Sequence, residues 1–239
     1  MRRAGVAGLV AAALMGGIAG ASPEERLSAV FDIYLGGLKI AEMAVNAEFA
    51  PETYRADAVL ETKGVVGAFY RASFEAQSEG AVAGEALAPA RFAANSRDSR
   101  KSQYVEMRYQ GGAPSALTAE PAFVPKPWEV EPTEQRAADP LSAAIGALVK
   151  QPAGGLCARD VEIYDGRRRY KIVLGTPEAR EGGIYCPALY RRVAGFKPKM
   201  MAKPDYPFGF WFSEMADGSF QILRAMGETP IGTAVIKRR

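Results

Sequence analysis

The sequence contains no histidine. That absence removes histidine-based triads, imidazole acid–base catalysis and most zinc sites together. Cysteine is almost as scarce, with Cys157 and Cys186 the only two. If they pair, no thiol nucleophile remains. No G-x-S-x-G elbow, P-loop or dinucleotide fingerprint occurs in a convincing context, so neither a cofactor nor a bound metal is expected. Asp160, Glu162 and Asp165 lie close together, but nothing marks two of them as the carboxylate pair of a glycosidase. No enzyme is expected, and a hydrolase is the weakest functional class. No apolar run reaches membrane-spanning length either, so the chain is not expected to span a bilayer.

What is present begins with an export pattern. Arg2 and Arg3 precede an apolar run from Val6 to Ile18, and Ala19-Gly20-Ala21 follows as a small-residue cleavage pattern. This reads as a signal peptide over residues 1–21, cleaved after Ala21, with the periplasm as destination. An uncleaved anchor would need a longer apolar core. Residues 22–239 then form a single β-rich domain. Two cysteines in an oxidising compartment most simply form a disulfide, with a pair of free thiols as the alternative. A link closing about 30 residues is worth roughly 3.5 kcal/mol in the chain-entropy model.

Charge is unevenly spread. Residues 22–149 carry 12 Lys and Arg against 18 Asp and Glu, whereas residues 150–239 carry 16 against 9. The basic half can attract an anionic partner, or the halves can complement each other within one fold. Near-neutral total charge in an exported protein argues against nucleic acid.

Period-two alternation dominates the chain. Leu27–Leu35 and Ala41–Phe49 flank Gly36-Gly37, a hairpin signal. Further strands are read at 54–62, 72–82, 89–96, 103–109 and 115–119. Residues 64–70 break the alternation as a short helix or bulged loop, expected to be a buried connection, with a place at a rim or mouth as the alternative. Four prolines between 121 and 132 preclude a central strand, so residues 120–138 read as an irregular loop pinned by Phe123, Val124 and Trp128. One convincing helix follows: Asp139 as N-cap, Pro140 at the first position, and Leu141–Val149 apolar. Asp165-Gly166 and Asp217-Gly218 mark further hairpins. About eleven strands and one principal helix result. The expected fold is mainly β, one large curved antiparallel sheet (a half-barrel or β-spiral) around that helix, with one disulfide. Lys237, Arg238 and Arg239 read as a solvated end.

Candidate contacts come from the basic and aromatic stretches. Arg167 and Arg169 share one side if residues 167–174 are a strand, and an arginine pair suits a phosphate or carboxylate. A solvated edge or an ion-pair ladder with Glu162 and Asp165 is the plainer reading. Phe210 and Phe212 lie on an aromatic strand that suits a core or an apolar binding face. Trp128 completes the set of candidate ligand or partner contacts.

Several motifs resemble one family. They are DPLSA at 139–143, YDGRRRY at 164–170, and the Cys157/Cys186 pair with Tyr185 before the second cysteine. YLGGL at 34–38, KGVVGAFYRASF at 63–74 and AGFKPK at 194–199 join them. The chain resembles exported alphaproteobacterial proteins that carry the domain of unknown function 3108. The resemblance implies a β-rich, curved-sheet periplasmic protein. Its architecture would be similar to the lipoprotein carriers LolA and LolB and to a disulfide-bearing β-spiral family that serves envelope integrity. Two functions are expected from these readings. One is a periplasmic binder of an apolar ligand, lipid or lipoprotein in a curved-sheet cavity. The other is a cell-envelope integrity scaffold that binds a protein or peptidoglycan and has a packed interior.

Overall fold

The computed structural model describes residues 25–239 except Glu85 and Glu181; the signal-peptide segment lies outside the described residues. The first seven strands are β1 (Glu25–Leu35), β2 (Leu38–Phe49), β3 (Thr53–Thr62), β4 (Ala72–Ala83), β5 (Ala86–Asp98), β6 (Ser102–Gln110) and β7 (Ala113–Glu120). Helix α1 (Gly64–Phe69) joins β3 to β4, and α2 (Pro140–Leu148) precedes the second group. That group comprises β8 (Asp160–Tyr164), β9 (Arg169–Leu174), β10 (Glu178–Arg180), β11 (Gly183–Ala194), β12 (Asp205–Glu214), β13 (Phe220–Thr229) and β14 (Gly232–Arg238). Helix α3 (Pro198–Met201) lies between β11 and β12.

All fourteen strands belong to one antiparallel sheet, ordered β7-β6-β5-β4-β3-β2-β1-β14-β13-β12-β11-β9-β8, with β10 added beside β11. The sheet curves around α2 and is not closed into a barrel. The mainly β, curved-sheet expectation therefore holds. The strand count exceeds eleven because short strands such as three-residue β10 carry too little alternation to declare themselves. At the β1–β2 turn the expected Gly-Gly pair takes φ of 55° and 84°, the conformation that matches a two-residue hairpin to strand twist. Residues 64–70 do form a short helix, but none of α1 is buried, so they are not the buried connection expected.

Alternation decides what faces inward. Tyr54, Ala56 and Ala58 of β3, Ala76 and Ser78 of β4, and Phe92 and Ala94 of β5 are buried. The alanines let α2 approach the sheet closely. Leu141, Ser142, Ile145 and Leu148 of α2 are buried, in line with the apolar face expected at i, i+4 and i+7.

A polar network pins the N-terminus of this helix. Asp139 is fully buried. Its Oδ1 accepts hydrogen bonds from the backbone N–H groups of Leu141 and Ser142, both at 2.9 Å. Its Oδ2 accepts from the hydroxyls of Ser78, at 2.9 Å, and Ser142. Tyr54 Oη completes the cluster, 2.6 Å from Ser142 Oγ. Burial pushes the Asp139 carboxyl above its usual range, although hydrogen bonds from Ser142, Ser78 and Leu141 oppose the shift.

The exit of α2 is fastened too. Gln151 and Phe220 exchange backbone hydrogen bonds of 3.0 and 2.9 Å. Cys157 and Cys186 form a disulfide, with Cα atoms 5.7 Å apart, within the ordinary range. Both cysteines are buried. The bond therefore anchors the segment between α2 and β8 to the inner face of β11. The chain end is not a solvated tail. Arg239 donates to Asp32 (2.7 Å) and Glu42, and its N–H pairs with Val30.

Two outcomes follow from these anchors. Asp139→Ala should lower unfolding free energy by about 2 kcal/mol, the upper range for a cap whose partners stay buried. Asp139→Asn should keep most of it. A raised folded-state pKa means stability is fullest below the unfolded value and falls as pH rises through the folded one. Denaturant titrations across pH should show this decline in wild type and a flatter profile in Asp139→Asn. Replacing both cysteines by serine should cost about 3 kcal/mol, and denatured, non-reduced wild type should show no maleimide-reactive thiol.

Candidate functional site

Helix α2 leans on β3, β4 and β5 and leaves space on its other side. Its small residues Ala143, Gly146 and Ala147 face a cavity of about 540 Å³. The opposite wall is Phe31 and Met43 of β1 and β2, Ile172 and Leu174 of β9, Phe210 of β12, and Ile222 and Ile236 of β13 and β14. Arg159, Asp160 and Glu162 stand at its border. The volume falls in the range of small-molecule sites, which combine apolar walls with a few polar groups. A side chain at Gly146 would meet no atom within 4 Å of its Cβ. The space is thus set by helix residues too small to reach the sheet.

A second hollow, about 460 Å³, lies at the N-terminal end of α2. Phe74, Phe92, Val105 and Phe123 line it, with Asp165, Arg167 and Arg168 at its border. Asp165 Oδ1 accepts from the N–H groups of Arg167 and Arg168 at 2.9 and 2.8 Å, which fixes the β8–β9 turn. Burial pushes the Asp165 carboxyl up, against those two bonds.

The five candidate contacts do not converge. Phe210 lines the large cavity. Phe212, two residues along on the same face, is 2% exposed and belongs to the core. Arg167 lies in the turn rather than on a strand, since β9 begins at Arg169. It donates to the Val124 carbonyl, pairs with Glu129 and stacks 4.5 Å from the Phe123 ring centroid. Arg169 pairs with Glu162, which Lys171 also reaches at 3.1 Å. Burial alone would raise Glu162, but these two cations outweigh it and hold the carboxyl below its usual range. The expected ladder thus includes Glu162 but not Asp165. Trp128 is half-buried on the loop after β7, with the Lys197 ammonium 6.0 Å from its ring. Sequence reading missed most of the cavity wall. Alternation shows which residues of a strand share a face, but not which of them border a void rather than the helix.

Among the described residues no group of three His, Cys, Asp or Glu side chains forms a candidate metal site. No helix among them is long and apolar enough to cross a membrane. The fold and its chamber define a class: an open, curved antiparallel sheet wrapped around one anchored helix, with apolar space between them. Residues 30–238 match the model of a protein family described as "Protein of unknown function (DUF3108)", and the chain belongs to that family. No curated protein matches it. Among solved structures it is similar to a beta-barrel-like protein of domain of unknown function DUF1849 from Brucella abortus. Identity is 11%, coverage 90% of this chain and 95% of the other, and the TM-score 0.46.

The two arginines separate experimentally. Arg167→Ala should speed amide exchange across residues 123–130 and cost up to about 1 kcal/mol, because its pair is partly shielded and adds a ring contact. Arg169→Ala should stay within about 0.5 kcal/mol, since Lys171 remains beside Glu162.

Proposed function

We propose that this protein is a non-enzymatic periplasmic binder that shelters an apolar ligand in the chamber beside α2. A lipid, or the acyl chain of a lipoprotein, is the ligand class that suits the walls. The carrying observation is the roughly 540 Å³ space between the small face of α2 and the aliphatic inner face of the sheet. Ligand sites are clefts of this size whose mostly apolar walls carry a few polar groups. The export pattern of residues 1–21 supports the compartment. The alternative, an envelope-integrity scaffold binding a protein or peptidoglycan through its outer face, requires a packed interior, and the chamber weighs against it.

The test is to fill the chamber from the helix. Gly146→Leu and Ala147→Phe add bulk where the helix faces open space. Wild type, delipidated, should take up a fluorescent fatty acid saturably. Both variants should lose that uptake while keeping wild-type circular dichroism and melting temperature. Gly146→Leu should even stabilise α2 by up to about 1 kcal/mol, because glycine is a poor helix former. Unchanged uptake in the folded variants would place the ligand elsewhere. Absence of uptake by wild type, with a clean apo mass for protein purified from periplasm, would overturn the binder reading.

A further inference from the structure

One rim of the sheet carries a set of exposed cations. Antiparallel hairpins alternate their turns between rims. One rim gathers the β1–β2, β5–β6, β8–β9 and β13–β14 turns, with α1 between β3 and β4 and α3 between β11 and β12. Arg71, Arg100, Lys101, Arg168, Lys199 and Lys203 are exposed there. Among the described residues no carboxylate lies within ion-pair distance of any of the six. Several carboxylates of the same rim are already engaged. Asp98 accepts from the backbone N–H groups of Arg100 and Lys101. Glu61 pairs with Lys63, Glu129 with Arg167 and Asp205 with Arg191.

The same rim holds an apolar group. Phe69 is 88% exposed, Ile231 76%, Val65 69% and Leu38 64%. These residues sit on neighbouring elements. Gly36 N–H donates to the Thr233 carbonyl at 3.0 Å, joining the β1–β2 turn to the β13–β14 turn. Lys63 N–H donates to the Ile40 carbonyl at 2.9 Å, joining the start of α1 to β2. Single exposed apolar residues need no account, but four on adjoining turns do. Arg71, Arg100 and Lys101 flank this group on the β4–β6 side, and Lys199 and Lys203 follow on the β11–β12 side.

Apolar side chains between exposed cations form the pattern of a surface that settles at a lipid headgroup boundary. We propose that this rim docks the protein on an anionic bilayer surface. Phe69, Val65, Leu38 and Ile231 enter the headgroup–acyl boundary, and the flanking Lys and Arg meet lipid phosphates. A second copy is a poor occupant, because a two-fold interface would set this cationic rim against itself. The proposal stands on the rim alone and does not depend on what the chamber holds.

The test is vesicle flotation of processed protein recovered from the periplasm, with phosphatidylglycerol–phosphatidylcholine vesicles against pure phosphatidylcholine. Wild type and variants share one N-terminus, so differences report the rim. Wild type should float with the anionic vesicles, less so as salt rises. Phe69→Ser should weaken partition at least about tenfold, the effect of losing one buried aromatic side chain. The pair Lys199→Glu and Lys203→Glu should weaken it too. In Phe69→Trp, indole emission should shift to the blue with anionic vesicles only. Absence of wild-type flotation, or equal flotation of all variants, overturns the proposal. So does Phe69-dependent self-association in light scattering without flotation.

Discussion

Between the unpaired edges of β7 and β8 runs the segment of residues 121–139, and the rest of the structure depends on how it spans that gap. Unpaired strand edges invite pairing with other chains, and proteins cover or close them. Here Gln103 Nε2 holds the Pro121 carbonyl at 2.8 Å, and the Arg136 guanidinium holds the Gly111 carbonyl at 2.8 Å. Ala138 then pairs in parallel with the edge of β8, through Ala138 N–H to the Glu162 carbonyl and Tyr164 N–H to the Ala138 carbonyl. The Gly166 turn packs against Val105, Met107 and Leu117 from the far side of the sheet. One residue beyond the Ala138 bridge, Asp139 turns the chain inward and starts α2. The prolines that forbid a strand let the segment bridge two edges that regular pairing leaves apart.

That delivery explains why the interior is only half filled. The Asp139, Ser78, Ser142 and Tyr54 cluster commits α2 to the β3–β5 side. The disulfide and the Gln151–Phe220 bridge hold its other end. With its start held on β3–β5 and its exit held on β11 and β13, the helix cannot shift as a unit to fill the space beside it, and the space persists. Against one wall the alanines of β3, β4 and β5 give close contact. Against the other, the small residues of α2 leave a gap.

Much of this was legible in the sequence, and the physical reason is local. Alternation at Tyr54, Ala56 and Ala58, the Gly-Gly and Asp-Gly turns, and the Asp139-Pro140 start are settled within a few residues. The candidate site was less legible because it depends on distances across the sheet. Phe210 and Phe212 look alike in sequence, yet one faces the chamber and the other the packed core. Arg167 could be placed on a strand only while the turn was read as two residues; Asp165 capping two N–H groups extends it. Arg239 reads as a loose end until β14 sets it beside Asp32 and Glu42. The exposed cations could not be grouped from the sequence, because the alternation of hairpins brings Arg71 and Lys101 of the first half to the same rim as Lys199 and Lys203 of the second.

The small face of α2 also bears on how readily the space beside it can change size. A space walled only by strands is hard to resize, because altered strands risk their pairing register. Here one wall is a helix whose facing residues, Ala143, Gly146 and Ala147, take no part in the sheet. Substitutions at these positions can enlarge or shrink the space one methyl at a time, with every strand pair left in place. The space beside α2 can therefore change size while the strand framework stays unchanged.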